Sequence, residues 1–195
     1  MRIVLASRSP RRKELLEQIG VAFEILVSHV DEQITETEPG KVVEELSFQK
    51  ADAVLSLLDK GKEDILVIGS DTVVSVDGEI LGKPTDREDA VRMLSMLSGR
   101  SHEVYTGVTL LYFCQATGQV TVKCFYEMTK VNFYEMSEAE IAAYVDSRDP
   151  MDKAGAYGIQ GYCARYIRGI EGDYNTVVGL PVGRLYQEGK EWFDR

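Results

Sequence analysis

Residues 64–84 read DILVIGSDTVVSVDGEILGKP. The apolar run 65–68 consists of leucine and β-branched residues and stops at Gly69-Ser70, which predicts a buried strand. On that reading Asp71 stands just past the end of a core strand, on backbone held rigid by the sheet. Residues 73–76, the dipeptide Asp77-Gly78 and residues 79–81 form a hairpin pattern, because Asp-Gly supplies the positive φ of a two-residue turn. Lys83-Pro84 follows, and the hairpin is expected to fold that cation back toward Asp71. An acid and a lysine about one bend suit a metal–phosphate site. They equally suit a capped turn and a solvated lysine.

Upstream, residues 3–6 predict a short buried strand, Ser7-Arg8-Ser9-Pro10 a turn, and residues 11–19 a helix with Leu15, Leu16 and Ile19 inward. Ser9 fits the N-cap, Pro10 the first helical position and Gly20 the stop. Arg11, Arg12 and Lys13 crowd the first turn, where cations oppose the helix dipole at a cost of a few tenths of a kcal/mol each. An anion held there by backbone N–H groups and guanidinium forks offsets that cost, so an anion site is favoured over a solvated basic start. Residues 21–27 predict a second strand. Asp31-Glu32 follow it, in a polar loop where acids either hold a cation or are simply solvated. Pro39 opens a long helix to about Leu58, with Val42, Val43, Leu46, Ala53, Val54, Leu57 and Leu58 inward; Lys50 lies on it.

The totals bound the answer. A chain of 195 residues, 44% hydrophobic and 28% charged, predicts one domain over residues 1–195 with a substantial core. A net charge of −10 argues against a nucleic-acid polymer as partner, although a small phosphate ligand needs only a few local cations. No apolar stretch approaches a membrane span, and the N-terminus lacks a secretory pattern. Cys114, Cys124 and Cys163 are odd in number and widely spaced, which fits reduced thiols rather than disulfides or zinc. His29 and His102 are isolated, so a histidine relay is not expected.

Downstream, 85–88 reads as a capping box for a helix with Ala90, Met93, Leu94 and Leu97 inward, ended by Gly99. Residues 101–113 and 119–134 predict long antiparallel strands joined around Gly118, and 137–140 a second capping box for a helix to about Ser147. The loop 152–161, DKAGAYGIQG, has three glycines that allow close backbone approach to a ligand. Its Gln160 can both donate and accept, as reading a base edge requires. Residues 163–170 predict a strand, 173–179 a loop, and Leu180-Pro181 the lead into a last helix.

Three of these segments occur together in one family. LASRSPRR at 5–12, GSDT at 69–72 with GKP at 82–84, and DKAGAYGIQG at 152–161 followed by VGLP at 178–181 resemble the Maf proteins, over essentially the whole chain and in order. The resemblance implies an α/β fold: a central mixed, twisted sheet flanked by helices, with two lobes around a cleft, as in inosine triphosphate pyrophosphatase. It implies a cytoplasmic nucleoside triphosphate pyrophosphatase that converts NTP and water to NMP and pyrophosphate with a divalent cation, Mg2+, Mn2+ or Co2+. Asp71 matches the family's proton acceptor, with Glu32 sharing the metal. Ser7, Arg12, Lys50 and Lys83 match positions that hold the triphosphate, and Arg11, Thr72 and Gln160 match positions tied to base selectivity. Thr72 and the Gln160 loop resemble the dTTP/UTP branch, CTP and modified pyrimidines included as candidates. A homodimer is implied, and a link to cell-division arrest. Two alternatives stand beside this reading: the same chemistry on modified or purine nucleotides, and a non-enzymatic nucleotide-sensing regulator of cell division. The tail past Tyr186 carries no family motif.

Overall fold

In the computed structural model, which describes residues 1–29 and 31–194, the chain alternates strands and helices around one sheet. The strands are β1 (Arg2–Leu5), β2 (Glu24–Ile25), β3 (Ile65–Val76), β4 (Glu79–Leu81), β5 (Ser101–Phe113), β6 (Val120–Phe133) and β7 (Ile167–Glu171). The helices are α1 (Pro10–Gln18), α2 (Pro39–Leu57), α3 (Arg87–Leu97), α4 (Glu138–Asp146), α5 (Tyr174–Val178) and α6 (Val182–Phe193). The sheet runs in the order β2-β1-β3-β5-β6-β7, with β4 paired to β3 off that path. β1 is parallel to both β2 and β3, whereas β4 on β3 and β7 on β6 are antiparallel. Contacts of β5 with β6 run Ser101 to Asn132, Thr109 to Cys124 and Cys114 to Gln119. One residue number climbs as its partner's falls, which is antiparallel pairing through the turn at Gly118. The sheet is therefore mixed and open, with helices packed on it.

The chain divides into two compact units: Met1–Asp71, Thr106–Glu127 and from Gly179 on in the first, Thr72–Tyr105 and Met128–Val178 in the second. The first has a core of Val4, Ala6, Ala51, Val54, Leu55, Ile65, Val67, Leu111 and Phe113, drawn from β1, α2, β3 and β5. The second packs Ala90, Met93, Leu94 and Leu97 of α3 against Val74, Val104, Val131, Phe133 and Tyr144. Those four α3 positions are the stripe that the 3.6-residue period predicts. The Asp77-Gly78 turn also forms as expected, with φ of 51° and 81°. Ser137 and Glu140 make the reciprocal capping box at α4.

Several boundaries differ, each for a local reason. β3 does not end at Gly69-Ser70; it runs on through Asp71 to Val76. Gly69 is there because α2 presses on the strand: a Cβ would lie 2.2 Å from the Ser47 carbonyl oxygen and 2.9 Å from the Ala51 Cβ. The strand expected at 21–27 shrinks to Glu24–Ile25, which pair with Val4 and Leu5 at the end of β1. On α2, Leu57 is 63% exposed and Ala53 only half-buried; Ala51 and Leu55 take the inner positions instead. The cap of α3 is Asp86, whose side chain accepts from the Asp89 N–H at 2.8 Å; Thr85 sits one residue outside it.

The strand expected at 163–170 begins only at Ile167, preceded by a 3-10 turn over Gly161–Tyr166, since β6 ends at Phe133 opposite Ile167. The loop expected at 173–179 contains α5, held by the Asp173 carboxylate, which accepts from the Thr176 N–H at 2.7 Å. The tail past Tyr186 continues α6, where buried Trp192 stacks on Tyr112 at 5.2 Å; its last residue, Arg195, lies outside the described residues. Among the described residues no helix is long and apolar enough to cross a membrane.

Candidate active site

The register of the parallel strands locates the site. Leu5 pairs with Ile68, and the Ala6 N–H donates to the Ile68 carbonyl at 2.8 Å. Ser7 thus leaves the carboxyl end of β1 where β3 reaches Ser70 and Asp71. The carboxyl edge of parallel strands is where open α/β sheets bind ligands, because the loops leave there and helix N-termini point back toward it. The turn into α1 forms as its sequence predicts: Ser9 caps the helix, accepting from the Arg12 N–H at 3.4 Å, and Pro10 opens it. Ser7 is buried, and its Oγ accepts from the Ser9 N–H at 3.2 Å and from Arg12 Nη1 at 3.3 Å.

Arg12 also donates through Nε to the Gly179 carbonyl at 2.8 Å, and the Ser70 hydroxyl donates to that same oxygen at 3.1 Å. Gly179 therefore ties the middle of β3 to the start of α1 through one backbone oxygen. The segment 178–181 is part of the family pattern, but nothing in its side chains announces a role for a carbonyl. Burial pushes the Arg12 guanidinium pKa down, the negative Asp71 and Glu32 raise it, and neighbouring Arg11 lowers it. Arginine stays charged regardless.

Lys50, from the middle of α2, lies between two acids. Its Nζ makes a short ion pair with Asp71 Oδ1 and stands 3.3 Å from Glu32 Oε1. The side chains of Lys50 and Asp71 are only 19% and 16% exposed, and that of Glu32 is 42%. Ser7, Arg11, Arg12, Glu32, Lys50 and Asp71 thus lie in the first unit. Thr72 follows Asp71 on β3 at the start of the second unit. There Lys83 is exposed just past β4, and Gln160 is exposed on the segment between the 3-10 turns at 154–156 and 161–166. No group of three or more histidine, cysteine, aspartate or glutamate side chains placed to hold a metal occurs among the described residues. The three cysteines are free, and burial pushes the Cys163 thiol up to about 12, so it stays protonated and unreactive at neutral pH.

An open mixed sheet flanked by helices defines an α/β protein. The family model described as "Maf-like protein" matches residues 2–192. The chain belongs to that family. It is 58% identical to a dTTP/UTP pyrophosphatase of Agathobacter rectalis, over 95% of each chain. It is 51% identical to a dTTP/UTP pyrophosphatase of Carboxydothermus hydrogenoformans, over 98% of this chain and 99% of that one. Its identity to a dTTP/UTP pyrophosphatase of Lachnoclostridium phytofermentans is 47%, over 97% and 94%. The structure aligns with the Ham1 protein of Staphylococcus aureus at TM-score 0.43 and 15% identity, over 86% of this chain and 80% of that one. The fold class stands on the strand order rather than on that overlap.

Proposed function

We propose that this chain hydrolyses pyrimidine nucleoside triphosphates, dTTP and UTP foremost, to the monophosphate and pyrophosphate. One observation carries the chemistry: the Lys50 ammonium paired with both Asp71 and Glu32, in the same unit as buried Ser7 and part-buried Arg12, where β1 ends beside β3. The substrate class rests on the dTTP/UTP pyrophosphatases to which the chain is 47–58% identical. The barrier to the reaction is bringing water to a phosphorus screened by anionic oxygens and stabilising the charge that moves to the leaving group. Asp71 takes the proton of the attacking water. Ser7, Arg12, Lys50 and Lys83 hold the phosphates, and Arg12 and Lys50 neutralise charge as it develops on pyrophosphate. Arg11, Thr72 and Gln160 discriminate the base; the amide of Gln160 offers an acceptor beside a donor, matching N3–H and O4 of uracil or thymine.

Two carboxylates, Asp71 and Glu32, converge on one cation, here the Lys50 ammonium. Such a pair suits Mg2+ or Mn2+, which bind through one or two carboxylates and take further ligands from substrate phosphates. A divalent ion held by Asp71 and Glu32 would neutralise phosphate charge, with Lys50 turned from the acids to a phosphate oxygen. The free thiols fit a reducing, cytoplasmic setting. The test is pyrophosphate release across the common and modified nucleoside triphosphates, with Mg2+, Mn2+ or Co2+. Preferred turnover of dTTP and UTP is expected. A purine preference would overturn the substrate assignment, and no release from any triphosphate would overturn the reaction.

A further inference from the structure

We propose that His102 and Tyr157 are positioning residues for base selectivity: their buried hydrogen bond holds the segment that presents Gln160. The inference rests on the pyrophosphatase reading above and assigns to it two side chains of the second unit that touch no reacting atom.

His102 lies on β5, only 2% exposed, and its Nε2 is 2.7 Å from the Tyr157 hydroxyl. Tyr157 is 5% exposed and stands three residues before Gln160. Phe133 completes the arrangement, with its ring edge-on to both His102 at 5.0 Å and Tyr157 at 4.8 Å. His102 Nδ1 is buried and has no hydrogen-bond partner. Two tautomers are available, and in either the His–Tyr pair shares one bond and leaves one hydrogen without an acceptor. Two apolar side chains of the same shape would avoid that cost. A buried polar pair offers what apolar packing does not, a fixed distance and direction between two atoms.

Backbone N–H groups anchor the segment as well. The Gly155 N–H donates to the Gly82 carbonyl at 3.0 Å, directly before Lys83. The Gly158 N–H donates to the Tyr144 hydroxyl at 3.4 Å, and Tyr144 in turn donates to Asp149 at 2.8 Å. Between these two anchors the backbone turns through positive φ at Gly155 and Ala156, 65° and 57°. A non-glycine residue at positive φ persists only where its surroundings over-determine it. Tyr157 comes directly after that strained residue, and its hydroxyl ties the segment to β5 through His102. Removing the hydroxyl leaves the backbone anchors and frees the direction in which residues 158–160 leave the turn.

The experiment compares wild type, Tyr157→Phe, His102→Gln, Gln160→Ala and Tyr157→Phe/Gln160→Ala. It measures kcat and KM for dTTP, UTP and dGTP, and thermal melting of each. Tyr157→Phe and His102→Gln are expected to raise KM for dTTP and UTP and cut pyrimidine-over-purine selectivity in kcat/KM about tenfold, the loss of one positioned hydrogen bond. Their kcat should change less than about twofold. In the Gln160→Ala background Tyr157→Phe should leave selectivity within about twofold, because the group it positions is gone. Lowered melting temperature with wild-type selectivity in both single variants would overturn the proposal and leave the pair a purely structural one. So would a selectivity loss of the same size in the Gln160→Ala background. A wild type that releases no pyrophosphate from pyrimidine triphosphates refutes the functional reading itself; an active, selective wild type with unaltered variants refutes only the positioning role.

Discussion

Acid should destabilise this protein through His102 before it acts on anything else in the second unit's core. Burial alone lowers the His102 pKa from 6.5 to about 4. The unfolded chain takes up a proton near pH 6.5, while the folded chain refuses it until about pH 4. Between those values the unfolded state binds more protons, so stability falls as pH falls through 6.5, and the loss levels off below about 4. The full difference corresponds to about 3 kcal/mol, and roughly 2 kcal/mol of it is lost by pH 5. A typical domain has only ~5–15 kcal/mol in total, so the effect is large enough to measure. Urea unfolding followed by circular dichroism from pH 8 to pH 4.5, on wild type and His102→Gln, isolates it. Carboxylate titrations elsewhere are common to both chains and cancel in the difference. Wild type should lose roughly 2 kcal/mol more than the variant between pH 7.5 and pH 5. Parallel curves would refute the reasoning, because they would mean that His102 is as easily protonated folded as unfolded.

Other substitutions test the remaining steps. Asp71→Asn is expected to reduce pyrophosphate release by at least about a hundredfold while nucleotide binding stays measurable by titration, as loss of a general base demands; an unaltered rate would remove Asp71 from the mechanism. Gln160→Glu should impair dTTP and UTP more than a purine triphosphate, since it replaces the donor beside the acceptor with a second acceptor; equal losses in a steady-state comparison would contradict base reading. Gly69→Ala should lower the melting temperature by ~6–12 °C, because a Cβ 2.2 Å from the Ser47 carbonyl forces α2 off the strand at about 3 kcal/mol. A melting curve within a degree of wild type would show that the helix gives way freely.

Local rules made much of this legible from the residues. The Ser9–Pro10 start of α1, the Asp-Gly turn, the α3 stripe and the Ser137 capping box depend only on neighbours within about four positions, and each formed as read. The resemblance carried by the ordered motifs gave roles to Ser7, Arg11, Arg12, Glu32, Lys50 and Asp71, whereas the residues alone left Glu32 and Lys50 as readily solvated charges.

Where elements end was decided by partners distant in sequence. Gly69 reads as a strand terminator until α2 is seen lying on it, when the missing Cβ becomes room for the Ser47 carbonyl rather than a break. β7 starts later than its β-branched content suggests, because a strand lasts only as long as the neighbour that takes its hydrogen bonds. The Gly179 carbonyl joining Arg12 to Ser70, and the His102–Tyr157 bond under the Gln160 segment, have no local signature. Chemistry is carried by residue types and is written along the chain; the direction in which each group points is set by packing between residues far apart in sequence, and only the folded molecule brings those together.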